Sequence, residues 1–231
     1  YGWLISIEAS NLPYYYPETR YYNKDLIEIS ENKNNAHGIH DSDLSVNESI
    51  RFIERNKENP FFLYLAFDVP HEPYYIDDLK HYATSNLSDK AQRYASLITH
   101  TDQAIGRLID YLDNNNLREN TLIIFASDNG GAVMAPLDEL NCNAGLKGHK
   151  AQLYEGGIKV PFIVNFPKKI KHGQVKNNLI YFPDVMPTLA EYAHATLPQS
   201  MDGISLKPLL DGKNQQTDKR VLYWEIPGTQ V

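Results

Sequence analysis

Three short stretches carry residues suited to chemistry. His71 lies in Val69-Pro70-His71-Glu72-Pro73. The flanking prolines stiffen the backbone around a side chain that gains and loses a proton near neutral pH. Asp128-Asn129-Gly130-Gly131 sets two oxygen donors side by side. Hard oxygens of this kind suit Ca²⁺ or Mg²⁺, and the glycines permit the tight backbone that aims both side chains. Gly145-Leu146-Lys147-Gly148-His149-Lys150 places lysines on a glycine-rich loop, from which one can reach an anion. Each stretch also has an ordinary reading: a surface histidine, an Asn-Gly turn, a solvated basic loop. Together, His71, Asp128, Asn129 and Lys150 supply an acid/base group, metal ligands and a cation. An ester of a tetrahedral oxyanion calls for that set.

The elements that must position these residues can be read from hydrophobic patterning. Phe61–Phe67 and Thr121–Ser127 are nearly unbroken apolar runs, the pattern of strands buried on both faces. Val160–Val164 is a third, with Pro161 placing it near an edge or a bulge. Between the first two, Leu87, Ala91, Tyr94, Ala95, Ile98, Ile105, Leu108, Ile109 and Leu112 recur at steps of three and four, predicting one long helix with a single buried stripe. Asp102 falls on that stripe and would need a partner there. A second helix is expected from Ser42 to about Arg55, and a short one from Pro183-Asp184 to about Ala193. Strand, helix, strand with long crossovers predicts an α/β fold with a central, mostly parallel sheet flanked by helices. Ligands of such sheets sit beyond the carboxyl ends of the strands; the His71 and Asp128–Asn129 stretches follow the first two strands, and the lysine stretch precedes the third.

Residues 1–41 read as an irregular Tyr-rich segment, 42–212 as part of the α/β core, and 213–231 as the start of a truncated C-terminal region. Tyr14, Tyr15 and Tyr16 are read as aromatics packing a loop onto the body, with a sugar-lining role as the alternative. His37 and His40 form an H-x-x-H, but the intervening Gly38 argues against a helical metal face.

The 231 residues carry a net charge of −7, which argues against non-specific binding to nucleic acid or anionic membrane. A local basic pocket for a small anion is compatible with that sum. The single cysteine, Cys142, excludes an intrachain disulfide. No stretch reaches the ~18 apolar residues of a membrane span. The opening Tyr1-Gly2 fits a mature or truncated product better than an intact gene product. The compartment stays open, with a periplasmic or extracellular one favoured.

Five ordered blocks carry a family resemblance. They are Pro60–Ala66 with Pro70-His71-Glu72-Pro73; Ile105-Gly106-Arg107-Leu108; Thr121–Gly131; Leu146–Lys150 through Glu155–Phe162; and Pro183–Leu189 with Asp202–Leu206 and Pro208–Leu210. In content and order the chain resembles the formylglycine-dependent sulfatases of the alkaline phosphatase superfamily, over nearly everything beyond Ser42. The resemblance implies an alkaline-phosphatase-like domain, present in part, whose parent activity is sulfate ester hydrolysis. It implies Asp128 and Asn129 as Ca²⁺ ligands, with Mg²⁺ the lesser choice. It implies His71 as a contact to the ester and donor to the leaving oxygen, and Lys150 as the cation on the sulfate oxygens. Lys150 is preferred to Lys147 because it precedes Glu155-Gly156-Gly157 by five residues, as the family lysine does. His149 replaces a common glycine; a substrate contact is the expectation, with a neutral replacement as the alternative.

The chain also departs from the family. The nucleophile motif, Cys/Ser-x-Pro-x-Arg, is absent, and Cys142 in Asn141-Cys142-Asn143 does not match it. Formylglycine, the remaining acidic metal ligands and the upstream half of the polypeptide are therefore expected upstream. The expected substrates are sulfated small molecules or sulfated glycans. Two rivals remain: a phosphodiesterase or phosphonate hydrolase of the same superfamily, and a non-catalytic anion- or glycan-binding remnant.

Overall fold

The computed structural model describes residues 3–4, 15–197, 200–217 and 219–226. In chain order its strands and α-helices are β1 (Trp3–Leu4), β2 (Thr19–Tyr22), β3 (Asp25–Glu28), α1 (Asp41–Asn56), α2 (Asp89–Asn114), β4 (Ile123–Ala126), α3 (Leu137–Leu140), α4 (Glu155–Ile158), β5 (Phe162–Asn165), α5 (Val185–Ala193) and α6 (Lys207–Leu210).

The long periodic stretch forms α2, displaced two residues toward the C-terminus. The Ser88 hydroxyl accepts from the Ala91 N–H at 3.3 Å and caps its start. Its buried stripe centres on Tyr94, Leu97, Thr101 and Ala104. That centring turns Ile98 (43% exposed) and Asp102 outward, so Asp102 needs no buried partner. Helix α1 begins one residue before Ser42, capped by His40, whose Nδ1 accepts from the Ser42 N–H at 3.1 Å. Its inner face is mostly small: Ser42, Ser45, Val46 and Ser49 are buried. Small side chains let α1 lie close against α2, and the Ser42 and Thr101 hydroxyls bond across the contact at 2.9 Å. Asp43 accepts from Arg107 at 2.7 Å and bonds His100 at 2.9 Å, joining the pair farther out.

The α/β character holds, but the expected sheet differs in three respects. Strands β4 and β5 form where the apolar runs predicted them, yet they pair antiparallel, with Ile123 opposite Asn165 and Ala126 opposite Phe162. Phe61–Phe67 has the apolar run of a strand but no ladder among the described residues. Its side chains alternate, leaving Phe62 69% and Tyr64 82% exposed. Hydrophobicity marks a segment for burial but does not name its hydrogen-bonding neighbour or that neighbour's direction. The Tyr-rich opening is not irregular throughout either. Strands β1, β2 and β3 form an antiparallel sheet, with β2 and β3 turning at Asn23-Lys24 between Tyr22 and Asp25. Asn23 takes a positive φ of 55°, a conformation Asn tolerates better than most residues.

A buried cluster of Tyr15, Tyr16, Ile76 and Leu97, backed by Val69, Tyr74, Tyr75 and Leu79, ties this opening segment to α2 and to the His71 stretch. Farther along, Arg220 grips Asp184 through both guanidinium nitrogens, at 2.8 and 2.7 Å. Asp184 is fully buried beside α5, so this pair fastens the last described stretch to the body. No helix among the described residues is long and apolar enough to cross a membrane.

Candidate active site

His71 closes a four-residue turn. Its N–H donates to the Asp68 carbonyl at 2.8 Å, and the prolyl bonds on both sides of it are cis. The imidazole is exposed. Its Nδ1 lies 2.6 Å from the Glu72 carbonyl. A carbonyl only accepts, so Nδ1 carries the proton of the neutral ring and Nε2 is the nitrogen that takes up the second. The hydroxyl of Tyr15 bonds the carbonyl of His71 and approaches that of Asp68 at 3.4 Å. Burial holds the Asp68 carboxyl above its ordinary value, against the pull of Arg20 and His71. Arg20 is itself buried, on Asp41 at 3.1 Å and on the Ser45 hydroxyl at 3.0 Å. Despite that cation, burial pushes Asp41 up to about 6, because desolvation of a carboxylate outweighs a single ion pair here.

Asp128 and Asn129 follow β4 directly. The Ser127 N–H donates to the Pro161 carbonyl at 3.4 Å, continuing the approach of the two strands. Asp128 is exposed, and its Oδ1 accepts from the Asn129 N–H at 2.9 Å. The loop then locks onto the lysine stretch: the Gly130 N–H donates to the Gly157 carbonyl at 3.0 Å, and the Lys150 N–H donates to the Gly131 carbonyl at 2.9 Å. Contact this close requires glycine. A Cβ on Gly130 would lie 1.8 Å from the Gly156 carbonyl oxygen, and one on Gly156 would lie 2.3 Å from that of Gly148. Asn143 bridges the same two loops, accepting from the Gly131 N–H at 2.8 Å and donating to the Gly148 carbonyl at 3.0 Å. Sequence reading missed Asn143. It is one of three asparagine and cysteine residues in a row, and its role depends on partners on both sides of it.

The two lysines of the loop differ in surroundings. Lys147 sits over the Tyr154 ring, 3.8 Å from its centroid, a cation–π contact that occupies its ammonium. His149 is half-buried, with Nδ1 2.8 Å from the Lys150 carbonyl. A cavity of about 600 Å³ opens beside them, lined by Asp138, Asn143, Lys147, His149, Gln152 and Tyr154 among others. The backbone thus brings Asp128–Asn129 and Lys150 together, whereas the contacts that fix the His71 turn run to Tyr15 and Glu72.

Other candidates fall away. Tyr15 and Tyr16 are buried, 0% and 6% exposed, so neither lines a sugar site; Tyr14 lies outside the described residues. His37 bonds Asp77 and Asn35, while His40 caps α1, so the H-x-x-H converges on nothing. Burial, with a smaller push from His100, holds His40 down at about 3, so it stays neutral. Cys142 is partly buried with its thiol pushed up by desolvation, the opposite of an activated nucleophile. Asp128 and Asn129 offer one carboxylate and one amide oxygen, hard donors that fit Ca²⁺ as part of a set of about six to eight. Among the described residues, no group of three or more His, Cys, Asp or Glu is placed to hold a metal ion.

The sulfatase family model matches residues 3–195, and the chain belongs to that family. Its fold is part of an alkaline-phosphatase-like sulfatase domain. A sulfatase of Formosa agariphila is 33% identical over 98% of this chain and 45% of its own length. Human steryl-sulfatase is 34% identical over 76% of this chain and 30% of its own. The crystal structure of Ps i-CgsB in complex with k-i-k-neocarrahexaose superposes with a TM-score of 0.74 at 30% identity, covering 85% of this chain and 42% of that one. The chain therefore spans less than half the length of these relatives.

Proposed function

We propose that the full-length protein hydrolyses sulfate esters, with sulfated carbohydrates as its substrate class. The observation that carries this is the backbone locking of the Asp128–Asn129 loop to the Lys150 loop in a chain of the sulfatase family. It supports a site where hard oxygens and a lysine face one anion. The carbohydrate class is supported by the likeness to Ps i-CgsB, which was crystallised with neocarrahexaose.

In this reading the Lys150 ammonium binds the sulfate oxygens and offsets the charge that gathers on them as the ester oxygen departs. His71 holds one proton on Nδ1, bonded to the Glu72 carbonyl, and delivers a second from Nε2 to the leaving alcohol oxygen as its bond to sulfur breaks. His149, on the rim of the cavity, contacts the alcohol portion. Asp128 and Asn129 would hold part of the coordination shell of Ca²⁺; the ion would supply charge neutralisation, and a formylglycine outside these residues would supply the attacking oxygen. The products are the alcohol and inorganic sulfate.

The test is sulfate release by full-length protein made in a host that installs formylglycine, with that modification verified by mass spectrometry. Matched aryl sulfate and aryl phosphate are assayed with and without Ca²⁺. Faster, Ca²⁺-dependent sulfate release is expected. Preference for the phosphate, or no turnover of either by modified protein, refutes the proposal.

A further inference from the structure

Tyr15 joins the opening segment, both long helices and the His71 turn. Its side chain is fully buried. The ring stacks on His40 at 5.3 Å, with the planes 13° apart, and packs in the cluster with Tyr16, Ile76 and Leu97 of α2. Its carbonyl accepts the Asp41 N–H at 2.8 Å, at the first residue of α1. So held, the phenol meets a turn more than fifty residues away in sequence, bonding the His71 carbonyl at one end and approaching the Asp68 carbonyl at the other.

We propose that Tyr15 is a positioning residue for His71: by donating its one hydroxyl proton to the His71 carbonyl, with the Asp68 carbonyl close by, it sets where the imidazole can deliver its proton. The inference rests on the reading of His71 as donor to the leaving oxygen. The physical chain is short. The imidazole is oriented through Nδ1 on the Glu72 carbonyl, so Nε2 is placed only as well as the backbone from 71 to 72 is placed. His71 and Glu72 are exposed residues, and the bond from His71 N–H to the Asp68 carbonyl closes the turn that carries them. The Tyr15 hydroxyl fastens it to a buried ring that α1 and α2 already hold. Proton transfer in a transition state is steeply sensitive to such placement. Removing one oxygen should therefore act on protonation of the leaving group rather than on sulfate binding.

The experiment measures kcat/KM of the full-length, formylglycine-bearing protein across aryl sulfates running from 4-nitrophenyl to 4-methoxyphenyl sulfate. The less acidic the phenol, the more its departure depends on an acid. Tyr15→Phe keeps the ring and its packing. It should lose roughly tenfold on the 4-methoxyphenyl ester and less than about twofold on the 4-nitrophenyl ester, a fraction of what a general acid supplies. His71→Ala should show the same selectivity, larger. Tyr16→Phe is the control, because its hydroxyl meets the Asp77 N–H at 3.5 Å rather than the turn, and it should track wild type on every ester. Equal losses across the series for Tyr15→Phe, or matching losses in Tyr16→Phe, would reduce Tyr15 to ordinary packing and overturn the inference. A wild-type profile for Tyr15→Phe beside an impaired His71→Ala overturns it alone. A His71→Ala protein without leaving-group selectivity removes the proton-donor role from His71, and the inference falls with it.

Discussion

Gly130→Ala tests whether the locking of two loops matters to the site. The added Cβ would lie 1.8 Å from the Gly156 carbonyl oxygen, so the loops must part by about 1.6 Å to reach an ordinary contact of 3.4 Å. Parting them lengthens the 3.0 Å bond from Gly130 N–H to the Gly157 carbonyl and pulls on the 2.9 Å bond from Lys150 N–H to the Gly131 carbonyl. Both neighbours are backbone and cannot swing aside as a side-chain tip could. Overpacking of this kind costs about 1–3 kcal/mol of stability, a fall in Tm of roughly 2–12 °C for a domain of this size. The functional cost should be larger, since a shift of about 1 Å between catalytic groups can cost 100-fold in rate. The assay is sulfate release by full-length protein at a temperature well below the variant's own Tm, with Ca²⁺ titrated. The expected result is a loss of about 100-fold in kcat/KM and a weakened Ca²⁺ response. Activity within twofold of wild type would refute the argument that this contact holds the Asp128 and Lys150 loops in working register.

Three further outcomes are expected. Lys150→Ala should lower kcat/KM by about 100-fold or more, as loss of a preorganised charge does, whereas Lys147→Ala, whose ammonium rests on Tyr154, should cost under about fivefold; the reverse order in the same sulfate-release assay would exchange their roles. Arg220→Ala leaves the Asp184 carboxylate buried without its guanidinium and should cost about 3–5 kcal/mol in denaturant unfolding, with little change in activity per folded molecule; a midpoint shift near zero would show the pair to be dispensable. His40 is held at about 3 when folded and rises to about 6.5 when unfolded, so the unfolded chain alone takes up the proton between these values. Stability therefore falls as pH drops below about 6.5. Asp41, raised to about 6, opposes this between about 6 and 4, so the net decline is shallow. His40→Gln should abolish or reverse that decline in urea midpoints measured from pH 7 to 4, and an unchanged slope would rule His40 out as its source.

Much of the local structure was legible in the residues. Helix α2 could be read because its signal is internal: a stripe repeats every three to four residues, and the Ser88 cap lies next to it. Strands β4 and β5 were marked by their own apolar runs, and the chemistry of the loops between them, Asp128–Asn129 and Lys150, by residue type. What the sequence left undetermined depended on partners distant along the chain. The antiparallel sense of β4 and β5 is a relation between segments separated by 35 residues, and hydrophobicity carries no direction. Phe61–Phe67 resembled a strand, but a strand also needs a neighbour's backbone, which composition does not specify. The opening segment reads as shapeless because its strands are only two to four residues long, too short for a hydropathy pattern, and their pairing defines the sheet.

The same division runs through the site. Histidine, aspartate, asparagine and lysine were visible as candidates because their chemistry belongs to the side chain alone. The hold of Tyr15 on the His71 turn, the bridge made by Asn143, the seating of the Lys147 ammonium on Tyr154 and the bond from the Lys150 backbone N–H to the Gly131 carbonyl were decided by tertiary packing. Each is a hydrogen bond or contact whose energy exists only once the backbone has brought both partners within about 3–4 Å.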